Sequence, residues 1–209
     1  MTPECERRLD AGLAALAIDV EAGARRQLLA LLGLLHKWNR AYNLTSVRAP
    51  EAMVTRHLLD SASVLSAVSG PRVLDVGAGA GFPGLVLAIL APELDVTLLD
   101  SNGKKVRFQR QAVLELGLDN VTPVQARVER FTAEPFDQIL SRAFASLGDF
   151  VSLSDPLLTA EGEWLAMKGQ ACEDELAGLP ASARLIERRA LHVPGEDAER
   201  HLLRVRRTG

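Results

Sequence analysis

The chain is poor in cysteine and in aromatics, and it has no long hydrophobic run. Its two cysteines, Cys5 and Cys172, stand far apart with no C-x-x-C pair. That spacing argues against a disulfide framework and a cysteine metal site, suits a reducing compartment, and favours either thiol as neutral filler over nucleophile. Aromatics make up 4% of the sequence, so few rings are available to stack on bases: Trp38, Tyr42, Phe82, Phe108 and Phe144 are the nearest candidates, and Trp38 reads as helix core. The longest apolar runs, LLALLGLL and LVLAILA, fall far below the roughly 18 residues of a membrane span. MTPECERRLD is charged where a secretory peptide would turn apolar. A cytoplasmic protein without a membrane partner is expected.

An overall basic charge is also missing. Lys and Arg number 24 against 27 Asp and Glu, a net charge of −3, so a polyanion must be met by local patches. Two stretches supply them. From Ala22 to Pro50 there is no acid, yet Arg25, Arg26, Lys37, Arg40 and Arg48 occur; between Asp100 and Glu115 the only charges are Lys104, Lys105, Arg107 and Arg110. Each stretch reads either as a solvated helix face or as a footprint for nucleic acid.

What is present is ample apolar content, 47%, enough to pack one α/β domain with a small appendage. Residues 1–68 read as a helical extension: Leu28, Leu31, Leu32, Leu35 and Trp38 recur at helical spacing, and Met53, Leu58, Leu59, Ala62 and Leu65 predict a further helix after Pro50. Residues 69–209 alternate strands and helices. RVLDV, DVTLLD, VTPVQA, DQILSR and GEWLAMK read as strands, with a helix from about Lys104 to Leu116 stopped by Gly117. ARLIERRALHV and HLLRVRR close the chain with no long helix between them, which predicts an antiparallel return. The expected fold is α/β, a Rossmann-like doubly wound mixed sheet of seven strands, with its ligand crevice at the carboxyl ends of the first strands.

The strongest local signal is VLDVGAGAGFPG, an apolar strand that turns at once into the apolar helix LVLAIL. Glycines there let main chain approach a ligand closely. Gly77, Gly79 and Gly81 give GxGxG; read from Gly79, the same letters give GxGxxG, the dinucleotide fingerprint, with Asp100 about 20 residues on. Glycine spacing leaves both frames open. Asp75 favours S-adenosylmethionine, because a carboxylate two residues before the first glycine would repel a pyrophosphate but suit a sulfonium and an ammonium.

The other polar groups fall on the same rim. Asp100 ends the second strand and can accept two ribose hydroxyls, or cap the Lys104 helix. Val128 and Glu129 follow the third strand, where Glu129 could accept from an adenine amino group or stabilise a short helix start. Phe82 lies where a methionyl end would pass. Arg142 ends the fourth strand and Lys168 the fifth, the two candidates for the reacting centre.

Several further motifs, HKWNRAYNLTSVR, RHLLDS, LLDSNGKKVRFQRQ, ARVERF, SRAFASL and AMKG, agree in order and spacing with one family. Over nearly its whole length the chain resembles the RsmG (GidB) family of bacterial small-subunit ribosomal RNA methyltransferases. The resemblance implies a class I methyltransferase fold with an amino-terminal helical extension and S-adenosylmethionine as cofactor. It also implies methylation at N7 of one guanosine of 16S rRNA near the decoding site. By that likeness Gly77, Phe82, Val128, Glu129 and Arg142 are cofactor contacts.

Guanine N7 carries an in-plane lone pair, so such a reaction requires no general base, and alignment of the reacting atoms should dominate. The acid-free patches would hold the RNA, through Arg48, Arg56, His57, Lys104, Lys105, Arg107, Arg110 and Lys168, with Asn43 as a polar contact. For His57 the plainer role is a partner for Asp60 on its own helix. A monomer acting on 16S rRNA or the small subunit is expected. The rival readings are a methyltransferase for a small metabolite, a non-catalytic RNA or nucleoside binder, and a nicotinamide oxidoreductase.

Overall fold

A computed structural model of the chain describes residues 2–142, 144, 146–169 and 173–208; Cys172 lies outside them. Helix α1 (Pro3–Ala15) begins where Thr2 accepts from the Cys5 amide, with Pro3 at the first position and Glu4 and Glu6 in the first turn, all favourable at a helix N-terminus. Helix α2 (Ala22–Tyr42) buries Leu28, Leu31, Leu32, Leu35 and Asn39 on one side and ends at Asn43, whose φ is 50°. The helix expected after Pro50 is present but interrupted. It runs as α3 (Pro50–Met53), a π turn over Val54–Leu59 and α4 (Asp60–Ala62). A π turn widens the spiral by one residue per turn, a distortion found mostly at functional sites. Here it carries His57 and adjoins Asp60, both buried.

Seven strands follow, in the spatial order β3-β2-β1-β4-β5-β7-β6. They are β1 (Arg72–Val76), β2 (Asp95–Asp100), β3 (Val121–Gln125), β4 (Phe136–Ser141), β5 (Leu158–Lys168), β6 (Ala183–Ala190) and β7 (His201–Arg207). The first five are parallel, and β7 runs antiparallel to both β5 and β6. Helices α5 (Gly84–Leu90) and α6 (Gly103–Leu116) make the first crossovers, and α7 (Leu147–Ser154) and the short α8 (Glu173–Ala177) flank β5. Strand order reverses between β1 and β4, the topological switch point where α/β sheets bind ligands. Two sequence expectations needed revision. Strand β5 starts at Leu158, ahead of the expected GEWLAMK, and α7 had no signal because its 8 residues are mostly buried and show too few turns for a clean period.

Two apolar clusters cover the two faces of the sheet. On one, Leu9, Leu28, Leu31, Met53 and Leu58 of the helical segment pack with Val73, Val96 and Leu98 of the strands and with α5. On the other, Leu74, Ile139, Trp164 and Val205 pack with Phe150 and Val151 of α7. The helices before Ser69 therefore have no separate core; they are a layer on the sheet. Trp38 packs against that layer, edge-on to Phe108. Among the described residues no helix is long and apolar enough to cross a membrane.

Candidate active site

The glycine turn is built by backbone geometry and fastened by two side chains. Gly77 and Ala78 donate to the Leu99 carbonyl at 2.8 and 3.1 Å, and Gly77, Gly79 and Gly81 hold φ values of 70°, 60° and 87°, a region costly for residues with a Cβ. The Gly79 amide donates to Asp100 Oδ2 at 2.8 Å, and Gln109 Nε2 donates to the Gly79 carbonyl at 2.8 Å. A Cβ on Gly79 would meet nothing closer than 3.9 Å, so the turn presents bare main chain to open space. Gly84 is small for another reason: a Cβ there would fall 2.2 Å from Leu98 Cδ2, which sets the close approach of α5 to β2.

Asp75 does not face that space. Its buried carboxylate accepts from the Gly84 amide at 2.8 Å, and burial pushes its pKa up to about 7. The expected repulsion of a pyrophosphate by Asp75 is therefore corrected: the group fastens the start of α5 from below. Asp100 does reach the rim. Its Oδ1 accepts from the Asn102 amide at 2.8 Å, yet each carboxylate oxygen keeps a second lone pair. The cap of α6 is Asn102, which accepts from the Lys104 and Lys105 amides, and not Asp100.

Three cavities run along the rim and share walls. The first, about 220 Å³, is lined by Gly77, Asp100, Val128 and Glu129 together with Val76, Leu99, Phe144 and Leu153. The second, about 180 Å³, is lined by Gly77, Gly79, Phe82, Lys105, His57, Thr45 and Arg142. The third, about 380 Å³, has Thr45, His57 and Arg142 in common with the second and adds Arg56, Asp60, Lys168, Arg200 and His201. Apolar walls with two carboxylates, Asp100 and Glu129, fit a nucleoside that offers hydroxyl and amino donors, and Arg127 lines the same cavity. The bare turn at Gly79 leaves room for its extension into the second cavity. These residues fit S-adenosylmethionine.

Of the remaining expected residues, His57 is placed otherwise than foreseen. Its ring is buried and stacks on Phe82 with centroids 5.1 Å apart, and Nε2 pairs with Thr45 Oγ1 at 2.9 Å. Burial, and then the Arg142 charge, pushes its pKa down to about 4. It is a neutral wall between two cavities, neither a surface cation for RNA nor the partner of Asp60. Asp60 instead accepts from Arg142 Nη1 at 2.9 Å and from Arg200 Nε at 3.3 Å. Lys168 Nζ donates to the Phe144 carbonyl at 2.7 Å and pairs with Glu175 at 2.6 Å.

The polar and basic residues proposed for RNA flank this trough. Asn43 and Arg48 are exposed on the loop whose Thr45 and Ser46 line the third cavity, with Arg48 Nη2 donating to Asn43 Oδ1 at 3.4 Å. Arg56 is exposed and paired with Glu196 at 3.0 Å. Lys104, Arg107 and Arg110 form an exposed stripe on α6, spaced three apart, while Lys105 turns into the second cavity. Sequence reasoning missed Thr45, Asp60, Arg200, His201 and Gln109. The RHLLDS motif held a signal for Asp60; Arg200 had none, because only the β7 pairing brings it to the rim.

With this geometry in view, comparison with known proteins is informative. Residues 24–203 match the sequence profile of the family described as GidB, rRNA small subunit methyltransferase G. A Chromohalobacter salexigens protein named ribosomal RNA small subunit methyltransferase G is 73% identical over 207 residues, covering 99% of this chain and 100% of that one. A Klebsiella pneumoniae protein of the same name is 55% identical, covering 86% and 87%. Among solved structures, TrmN from Thermus thermophilus superposes with a TM-score of 0.60 at 22% identity, covering 81% of this chain and 53% of that one. An Aquifex aeolicus protein described as a SAM-dependent methyltransferase superposes at 0.54 and 18%, covering 71% and 90%; both likenesses concern the fold.

Proposed function

The chain belongs to the GidB family, rRNA small subunit methyltransferase G, and from that premise we propose that it transfers a methyl group from S-adenosylmethionine to N7 of one guanosine of 16S rRNA. The observation that carries this reading is the continuity of the rim. A cleft whose two carboxylates, Asp100 and Glu129, can accept from nucleoside donors runs past Gly79 and Arg142 into a larger cavity lined by Arg56, Arg142, Lys168 and Arg200. In this reading Gly77, Gly79, Phe82, Asp100, Val128, Glu129 and Arg142 hold the cofactor, which supplies an electrophilic methyl group. Asn43, Arg48, Arg56, Lys104, Lys105, Arg107 and Arg110 hold the RNA backbone. Arg142 reaches the reacting centre, and Lys168 holds the Phe144 carbonyl.

The chemistry asks little proton transfer of the protein. N7 attacks through a lone pair that carries no proton, so the rim must align the reactants and exclude disfavoured charge. His57 serves this by staying neutral: its ring bounds both inner cavities without adding a cation beside a base that becomes positive on methylation. We take the working form to be a cytoplasmic monomer.

The test is methyl transfer to small subunits isolated from a strain lacking the modification, with mapping of the modified base. Activity should be lost on changing Gly77 or Arg142; full activity in both variants would overturn the assignment. The paired charge reversal Lys104→Glu/Arg107→Glu, on the exposed stripe of α6, separates this reading from a small-metabolite methyltransferase. RNA methylation should fall and its salt dependence flatten, whereas turnover of a small substrate would not change.

A further inference from the structure

Asp60 stands where the helical layer, the end of β4 and the start of β7 meet. Asp60 is 4% exposed, and its carboxylate divides itself between two guanidinium groups, Oδ2 accepting from Arg142 and Oδ1 from Arg200. Arg142 Nη1 also donates to the Arg56 carbonyl, and Arg200 Nη1 to the Glu199 carbonyl, each at 3.1 Å. One side of each guanidinium is thus fixed by protein acceptors, and both groups line the third cavity. Two like charges facing one small space repel, and a shared carboxylate offsets that repulsion while holding them in one orientation. Two cations on one carboxylate still leave a net positive charge.

Resting on the reading of the protein as an RNA methyltransferase, we infer that Asp60 is a positioning residue that sets Arg142 and Arg200 as paired donors for a phosphate of the RNA chain beside the acceptor base. Guanidinium groups match phosphate oxygens with fork-shaped donor edges, which makes their orientation matter more than that of a point charge. The carboxylate has a second consequence. Arg142 also lines the second cavity, close to where positive charge appears on the methylated ring. A guanidinium without its counter-ion there would oppose the transfer while attracting RNA more strongly.

Removing the charge of Asp60 should therefore slow the chemical step without weakening RNA binding, a split that simple loss of structure does not produce. Single-turnover methylation of unmodified small subunits, titrated with subunit and with salt, reads both quantities. Asp60→Asn is expected to lower the saturating rate roughly tenfold or more while the half-saturating subunit concentration stays level or falls. Asp60→Glu should recover part of the rate. Arg200→Gln should raise the half-saturating concentration at least about threefold more than it lowers the saturating rate, and reduce the salt exponent by about one.

A wild-type saturating rate in Asp60→Asn, or wild-type half-saturation and salt exponent in Arg200→Gln, would overturn the inference. If Asp60→Asn fails to fold by circular dichroism, Arg200→Gln decides alone. Competition by inorganic phosphate that Arg200→Gln abolishes, with RNA kinetics untouched, would assign the pair to free phosphate and also overturn it. Absence of any methylation by the wild-type enzyme sinks the RNA reading itself, whereas an active wild type with silent variants sinks only the role of Asp60.

Discussion

Gly79 holds φ at 60° while its amide donates to Asp100 and its carbonyl accepts from Gln109. An alanine there would sit in left-handed backbone at a cost of about 1–2 kcal/mol, and its methyl would project into the second cavity. Gly79→Ala should lower the melting temperature by several degrees and weaken S-adenosylmethionine binding by roughly tenfold in calorimetry, about 1.4 kcal/mol. Unchanged cofactor affinity would show that the turn is not its seat. Asp75 and His57 meanwhile pull the pH dependence of stability in opposite directions. Burial raises Asp75 from 3.8 to about 7, so between those values the folded chain keeps a proton the unfolded chain has lost, and stability falls as pH rises. Burial and the nearby Arg142 and Arg56 charges lower His57 from 6.5 to about 4. Across that window the unfolded chain holds the extra proton, and stability rises with pH. The two slopes offset each other. Asp75→Asn should expose the rising limb and His57→Gln the falling one, read from urea unfolding at about pH 4.5 and about pH 6.5; parallel behaviour of the two variants would refute the opposition.

Helix α6 shows how an element can be legible while its fastening is not. Its apolar positions and the stop at Gly117 are local signals, and the helix forms over Gly103–Leu116 close to where they predict it. The acid nearest its start suggested Asp100 as cap, but β2 pairing turns that carboxylate toward the glycine turn, leaving Asn102 to accept from Lys104 and Lys105 at 3.0 and 3.4 Å. Asn102→Ala should cost about 1 kcal/mol, seen as a lower thermal midpoint, with the greater effect on RNA methylation because Lys104 and Lys105 lie in the freed turn. A midpoint unchanged within error would argue against the cap. The π turn over Val54–Leu59 belongs to the same scale. Apolar spacing predicts a helix after Pro50, but no residue announces the widening over Val54–Leu59.

At the scale of the whole molecule, the segment before Ser69 is part of the sheet's packing. Leu9, Leu28, Leu31, Leu32, Met53 and Leu58 are at most 1% exposed and lie in one cluster with Val73, Val96 and Leu98. Removing them would expose the apolar surface they share with α5, α6 and that face of the sheet, and burial at roughly 25 cal/mol per Å² of apolar surface is the main favourable term in folding. A fragment spanning 69–209 should lack a cooperative thermal transition and bind a hydrophobic dye. A cooperative melt in that fragment would show that the core folds without its helical layer. The layer also supplies Thr45, Arg56, His57 and Asp60 to the rim, so fold and site depend on the same packing.

The letters alone determine the strand, turn and helix around Gly77 to Gly84, because backbone conformation at glycine and apolar periodicity are local properties. They also determine that Asp100, Glu129, Arg142 and Lys168 share one rim, since in a parallel α/β sheet successive strands end on the same side. Tertiary structure alone decided which way Asp75 and Asp100 point, that His57 is buried and neutral, and that Asp60 joins Arg142 to Arg200. Those outcomes depend on burial and on partners 9 positions away for Asp75, 21 for Asp100, and 82 and 140 for Asp60, and desolvation and charge pairing act through space, where sequence order carries no information.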